Sequence, residues 1–294
     1  MLFLHVPALP SQTCLTHRIT PTPPRKACSC LTRSRGYPGN LICNHSTHRY
    51  FWKASVGARV IFEFIEDIVK MALIVACLYF VLGEAARRMQ PAWSEPIGKH
   101  RLITLWVLIL AVSAIKLTED VIGGESGPID RAILLFIHGH VPRALNGFFE
   151  AVTSTGASWV LLPLATGISI ALLWARRRFE SLLVAASVLS AAMVIYFVKM
   201  VVGRARPALW DSEWYWGSSF PSGHTLAVAA FATAVALCVS RIRPAAGTLA
   251  LSLAIAWITL VGISRLVLGV HWPTDVLVAA CIGAFLPLAM SVVH

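Results

Sequence analysis

From Leu102 onwards the chain alternates long apolar runs with short polar links. The runs are Leu102–Leu117, Trp159–Trp174, Leu182–Val198, Thr225–Val239, Thr248–Ile263 and Asp275–Val292. Each approaches the roughly 20 residues that carry an α-helix across about 30 Å of hydrocarbon. In lipid, backbone polar groups must be satisfied within the segment, so the runs predict helices. The pattern over residues 100–294 therefore predicts an all-α fold, a polytopic transmembrane helix bundle with a six-helix core.

The first third of the chain reads differently. Over residues 60–82, Glu63, Glu66, Asp67 and Lys70 precede a shorter apolar run, Met71–Leu82, with Arg87 and Arg88 behind it. That run is short for a full span. Residues 60–99 are expected to form either an extra transmembrane helix with a polar beginning or an interfacial helix. Residues 1–59 carry no acid and no periodicity and are rich in Pro, Thr, Ser, Arg and Cys. They predict disorder, or a stretch upstream of the true translation start. A signal peptide fits poorly, because His5 and two prolines interrupt the apolar stretch at Met1 and no basic leader precedes it.

Composition strengthens the membrane reading. Hydrophobic residues make up 57% of the chain and charged residues 13%, with mean hydropathy +0.71. Soluble domains carry about 25% charged residues. The formal charge of +11 invites a nucleic-acid partner, but eight of the basic residues precede the first acid, Glu63. The remainder holds 17 basic and 14 acidic residues, a net +3, which cytoplasmic loops of a membrane protein account for. No nucleic acid is implied. Four of the seven cysteines lie at 14, 28, 30 and 43. Cys28 and Cys30, with His45 and His48, match none of the usual zinc-finger spacings. Cys77, Cys238 and Cys281 sit in apolar runs and read as buried thiols.

Basic clusters set the orientation. Lys99 and Arg101 precede the first run, Arg176–Arg178 separate the second and third, and Arg241 and Arg243 separate the fourth and fifth. By parity they share a side, which the positive-inside rule makes cytoplasmic. The links between runs three and four and between runs five and six then meet on the extracytoplasmic face of a plasma (inner) membrane. Those two links hold the chemistry. The first opens with Lys199, Arg204, Arg206 and Pro207 and ends in Pro221-Ser222-Gly223-His224. Lys199 and Arg206 are seven apart, one face of a continuing helix, and Pro207 favours a break. Ser222 is placed to cap the fourth helix, and the free first-turn N–H groups there can bind an anion that Gly223 lets approach. His224 is positioned to donate a proton. The second link carries Ser264, Arg265, His271 and Asp275. If the sixth helix begins near Pro273, Asp275 reaches one ring nitrogen of His271 and leaves the other free to attack. Arg265 offers a planar donor fork for phosphate. Each motif alone has a bland reading, namely a snorkelling basic flank, a helix-start histidine or a structural His–Asp pair. Three cations, two histidines, a carboxylate and a helix N-terminus on one face of a bundle do not.

The three segments, K-x6-R-P at Lys199–Pro207, P-S-G-H at Pro221–His224 and S-R-x5-H-x3-D at Ser264–Asp275, resemble the signatures of the type 2 phosphatidic acid phosphatase family. The resemblance covers residues 100–294 and implies metal-independent hydrolysis of a lipid phosphate or diphosphate, with no cofactor and no metal site. It implies that His271 attacks phosphorus to form a phosphohistidine and that Asp275 orients it. His224 would protonate the leaving oxygen and then activate water. Lys199, Arg206, Arg265, Ser222 and the Gly223 backbone would hold the phosphate. Arg204 falls outside the fixed positions and is assigned no catalytic role. The expected partners are a phospholipid or isoprenoid-lipid phosphate and the lipid bilayer. The vanadium haloperoxidases are similar at these motifs but are soluble. A phosphotransferase and a non-enzymatic transporter are the remaining alternatives. The aromatic loop Trp210–Trp216 reads as an interfacial anchor.

Overall fold

The computed structural model describes residues 65–85, 88, 101–210 and 217–292. Residues 1–59, and the aromatic loop beyond Trp210, lie outside the described residues. The elements run α1 (Ile65–Ala85), α2 (Arg101–Gly123), α3 (Gly127–His140), α4 (Asn146–Ser154), α5 (Ser158–Trp174), α6 (Arg178–Val202), α7 (Gly223–Ile242), α8 (Gly247–Val267) and α9 (Pro273–Val292). Among the described residues there is no strand.

Each predicted run lies inside a helix that is longer at one or both ends, because helical hydrogen bonding does not stop where the apolar residues do. The first run, expected over Leu102–Leu117 with Lys116 near its end, extends to Gly123 through Glu119 and Asp120. These charges are tolerated near the helix end because Lys116 Nζ lies 2.7 Å from Asp120 Oδ1 and 3.8 Å from Asp67 Oδ2 of α1. α1 is itself 21 residues long and apolar enough to cross a membrane, with Lys70 and Glu66 paired at 2.8 Å in its first turns. Seven such segments occur among the described residues, one of them the stretch Arg143–Trp174 that includes α4 and α5.

α7 is the centre of the bundle. Its sequence is rich in alanine, and Leu226, Val228, Ala229, Ala230 and Ala234 are fully buried. It packs against α6, α8 and α9, and α9 packs in turn on α2. Small residues allow close helix approach where lipid offers no hydrophobic driving force. At Gly283 of α9 an added Cβ would sit 2.5 Å from the Leu226 carbonyl oxygen and 2.6 Å from Ala229 Cβ. At Gly262 of α8 it would meet Val276 at 2.9 Å. The outer surface is correspondingly apolar. Trp174 and Val201 are 83% and 84% exposed, and Leu102, Phe80 and Leu182 also face outward. That surface suits hydrocarbon, not water. An open groove of about 940 Å³ runs between α2, α6 and α9, lined by Ala111, Ile115, Ile122, Val194, Ile282 and Phe285.

Two short helices at one end of the bundle were not expected. α3 and α4 occupy the link between the first two predicted runs. α3 leaves Ile129, Ile133, Leu135 and Phe136 exposed while burying Asp130 and Leu134. α4 packs on α8. Both bring side chains to the site described next.

Candidate active site

The eight predicted residues arrive from four helices and two links at one end of the bundle. α6 ends at Val202, earlier than a continuous helix to Pro207 requires, because Gly203 adopts a left-handed conformation with φ 60°. Lys199 and Arg206 therefore approach each other through a turn of the chain, not through helical periodicity. Lys199 Nζ donates to the Ser218 carbonyl at 2.7 Å. Arg206 Nη1 donates to the Val270 carbonyl at 2.9 Å and lies 3.4 Å from His271 Nε2.

Ser222 occupies the N-cap position of α7, but its hydroxyl does not cap the helix. It pairs with Thr225 Oγ1 at 3.0 Å, while its backbone N–H reaches the Asp275 carbonyl oxygen at 3.2 Å. The expected cap is replaced because Thr225, three residues on, offers a hydroxyl within reach. The turn still presents Gly223 and His224 at the helix start. His224 lies within electrostatic reach of Arg265, His271, Lys199 and Arg206, so these five groups share one site. Its Cβ is 3.4 Å from where a Cβ on Gly156 would stand, so the α4–α5 junction seats closely behind it.

α9 begins at Pro273. Asp275 is fully buried and His271 is 2% exposed. Their facing atoms, Nδ1 and Oδ2, are 3.5 Å apart. Oδ2 also accepts the Trp272 N–H at 2.9 Å. Burial pushes the His271 imidazole down to about 4, with Arg265 and Arg206 acting in the same direction and Asp275 opposing them. A neutral ring with one nitrogen toward a carboxylate and the other toward a cation can act as a nucleophile near pH 7. Gly269, at φ 68°, ends the turn after α8, and the Trp210 ring lies against it.

Arg265 is 1% exposed, and its Nη1 donates to Thr153 Oγ1 of α4 at 2.7 Å. Arg204, given no role on the sequence, donates through Nη1 to Asp275 Oδ1 at 2.5 Å and through Nη2 to Asp130 Oδ2 at 2.7 Å. Sequence reasoning missed Thr153 and Asp130 altogether. Asp130 had one available signal, a carboxylate directly before the apolar run of α3 that follows Arg131.

A model of the PAP2 superfamily matches residues 180–294. Phosphatidylglycerophosphatase B of Escherichia coli is 42% identical over 74 residues, which are 25% of this chain and 27% of that protein's length. Decaprenylphosphoryl-5-phosphoribose phosphatase of Mycobacterium tuberculosis is 33% identical over 164 residues, covering 54% of this chain and 80% of that protein. Among solved structures, the transmembrane PAP2 type phosphatidylglycerolphosphate phosphatase of Bacillus subtilis superposes with a TM-score of 0.58 at 26% identity, covering 63% of this chain and 93% of that one. The family match spans every residue from Lys199 to Asp275, and the likeness to the mycobacterial protein extends over most of its length; the chain belongs to the PAP2 superfamily.

Proposed function

We propose that the chain is a membrane-embedded phosphatase that hydrolyses a lipid phosphate or lipid diphosphate through a phosphohistidine. One observation carries this reading: His271 stands between a carboxylate 3.5 Å from Nδ1 and a guanidinium 3.4 Å from Nε2. Asp275 orients the ring and stabilises the positive charge that grows on it. Nε2 forms a bond to phosphorus as the bond from phosphorus to the leaving oxygen breaks. His224 delivers the proton that the leaving oxygen needs, then takes one from the water that cleaves the N–P bond and frees inorganic phosphate. Lys199, Arg206 and Arg265 hold the phosphoryl oxygens and offset the charge of the transition state, aided by Ser222 and the Gly223 N–H. These cations supply the neutralisation that metals give other phosphatases, so the reaction proceeds without a divalent ion.

The lipid character of the substrate rests on the groove between α2, α6 and α9. Val194 precedes Lys199 by five residues on α6, and Ile282 follows Asp275 by seven on α9. The groove thus lies one to two helical turns below the phosphate site on the same two helices, where a hydrocarbon chain can extend into the bilayer. The named substrates of the relatives, phosphatidylglycerophosphate and a decaprenylphosphoryl sugar phosphate, are both lipid phosphates. The site opens on the extracytoplasmic face of the plasma membrane, because Arg176–Arg178 and Arg241 with Arg243 lie at the other end of the helices.

The test is phosphate release by purified protein from phosphatidate, phosphatidylglycerol phosphate, a polyprenyl diphosphate and a lipid A phosphate, each with and without EDTA. Release from at least one, undiminished by the chelator, is expected. No release from any, or release that requires added magnesium or zinc, contradicts the reading.

A further inference from the structure

Asp275 is held from two sides. While Oδ2 faces His271 and the Trp272 N–H, Oδ1 accepts from Arg204 Nη1 at 2.5 Å. The same nitrogen lies 2.8 Å from Thr274 Oγ1, and Nη2 donates to Asp130 Oδ2 at 2.7 Å and to Ser126 Oγ at 3.2 Å. Asp130 is saturated in turn. Its Oδ1 accepts the Thr274 N–H at 3.0 Å, and its Oδ2 accepts the Thr274 hydroxyl at 2.6 Å. A carboxylate–guanidinium–carboxylate chain therefore joins α3, the α6–α7 link and the first turn of α9. Both carboxylates are fully buried, and the Arg204 side chain is 15% exposed.

We infer that Arg204 and Asp130 are positioning residues for the dephosphorylation, Arg204 fixing the Asp275 carboxylate toward His271 and Asp130 fixing Arg204. The inference rests on the reading of His271 as nucleophile. The geometry supports it over a plain staple between helices. A planar fork that bonds one carboxylate on each arm allows few Asp275 rotamers, and a lysine cannot reproduce it. A buried Asp275 facing only a neutral imidazole would be a poorly compensated charge, and the guanidinium compensates it. One guanidinium shared by two carboxylates leaves the trio with a single negative charge.

That charge arrangement gives a readout that mere structural damage does not. The groups around His271 are Asp275 of α9, Arg206 of the α6–α7 link, Arg265 of α8 and His224 of α7, with Lys199 of α6 within reach of His224; Arg204 stands behind Asp275, and Asp130 of α3 behind Arg204. Removing the Arg204 charge makes an imidazolium at 271 easier to form. Removing the Asp130 charge makes it harder. Arg204→Gln should therefore move the acid limb of kcat/KM upward by about one pH unit, and Asp130→Asn should move it downward by a smaller amount. Both should lower kcat by about tenfold or more with little change in KM, since both side chains are taken up by bonds behind Asp275.

The experiment uses the full chain in detergent and, as probe, the one of phosphatidate, phosphatidylglycerol phosphate, polyprenyl diphosphate and lipid A phosphate that the wild-type protein hydrolyses fastest, measuring phosphate release from pH 4 to 9. Arg204→Lys is the companion variant. It keeps the charge and loses the fork, so it should keep the wild-type limb while kcat stays low. Limbs that coincide in wild type, Arg204→Gln and Asp130→Asn, with all three folded, overturn the inference. So does an Arg204→Lys variant with wild-type kcat. A wild-type protein that releases phosphate from none of the four lipid phosphates contradicts the phosphatase reading instead, and the two failures are thereby distinguished.

Discussion

His271 is enclosed by protein and ringed by cations, and both facts disfavour its protonated form. A histidine pushed down to about 4 stays neutral, and so nucleophilic, from physiological pH well into the acid range, and loses its lone pair only below that. After correction for the substrate's own ionisation, kcat/KM should hold from pH 7 to about 5 and fall as pH drops through about 4. A pH–rate profile whose acid limb sits near 6.5 would indicate an ordinary, solvated histidine and contradict the enclosed site. At this scale the eight motif residues were legible because each sits at a fixed spacing from its neighbours within one of three short segments. Asp130 and Thr153 were not. They lie 74 and 112 residues from Arg204 and Arg265, the groups they hold, and no spacing along the chain signals that contact. Arg204 was visible, but only the packing of α3 shows that it bridges two buried carboxylates.

The helices themselves follow from the hydrophobic pattern, which marks the core of each run but not its ends. α2 and α6 outlast their apolar runs because charged residues near the headgroups keep helical hydrogen bonds and find partners there, as Lys116 does with Asp120 and Asp67. α3 and α4 escaped notice for a different reason. At 14 and 9 residues they are too short to span, and a window sized for spans passes over them. The groove between α2, α6 and α9 is likewise a product of packing. Filling it with Ala111→Trp, which points a large ring into space lined by Ile115 and Phe285, should cut turnover of a long-chain lipid phosphate by about tenfold or more. Hydrolysis of a short water-soluble phosphate ester should change less than twofold. Equal losses on both substrates would show that the groove does not take the lipid chain.

For the molecule as a whole, the apolar surface and the seven membrane-length segments make it a multi-pass membrane protein. The site end and the Arg241 end are chemically different. At the latter, Glu180 is buried 3.8 Å from Arg241, whose guanidinium lies over the Phe179 ring at 4.6 Å. Orientation is tested with single cysteines at the exposed positions Glu125, beside the site, and Ala245, in the turn between α7 and α8, in a background lacking the other cysteines. An impermeant thiol reagent should label position 125 in intact cells and position 245 only after the membrane is opened. The reverse would place the site, and its lipid substrate, at the cytoplasmic leaflet.

A covalent bond between phosphorus and His271 can be trapped directly. Wild-type protein mixed with a lipid phosphate labelled with ³²P in the phosphoryl group, and quenched within milliseconds into alkali, should carry acid-labile, alkali-stable label on that histidine. His271→Ala should carry none and release no phosphate, since the nitrogen that attacks is gone. His224→Ala, with a substrate bearing a good leaving group, should accumulate the label because water is no longer activated. Label undiminished in the His271→Ala protein would put the nucleophile on another residue.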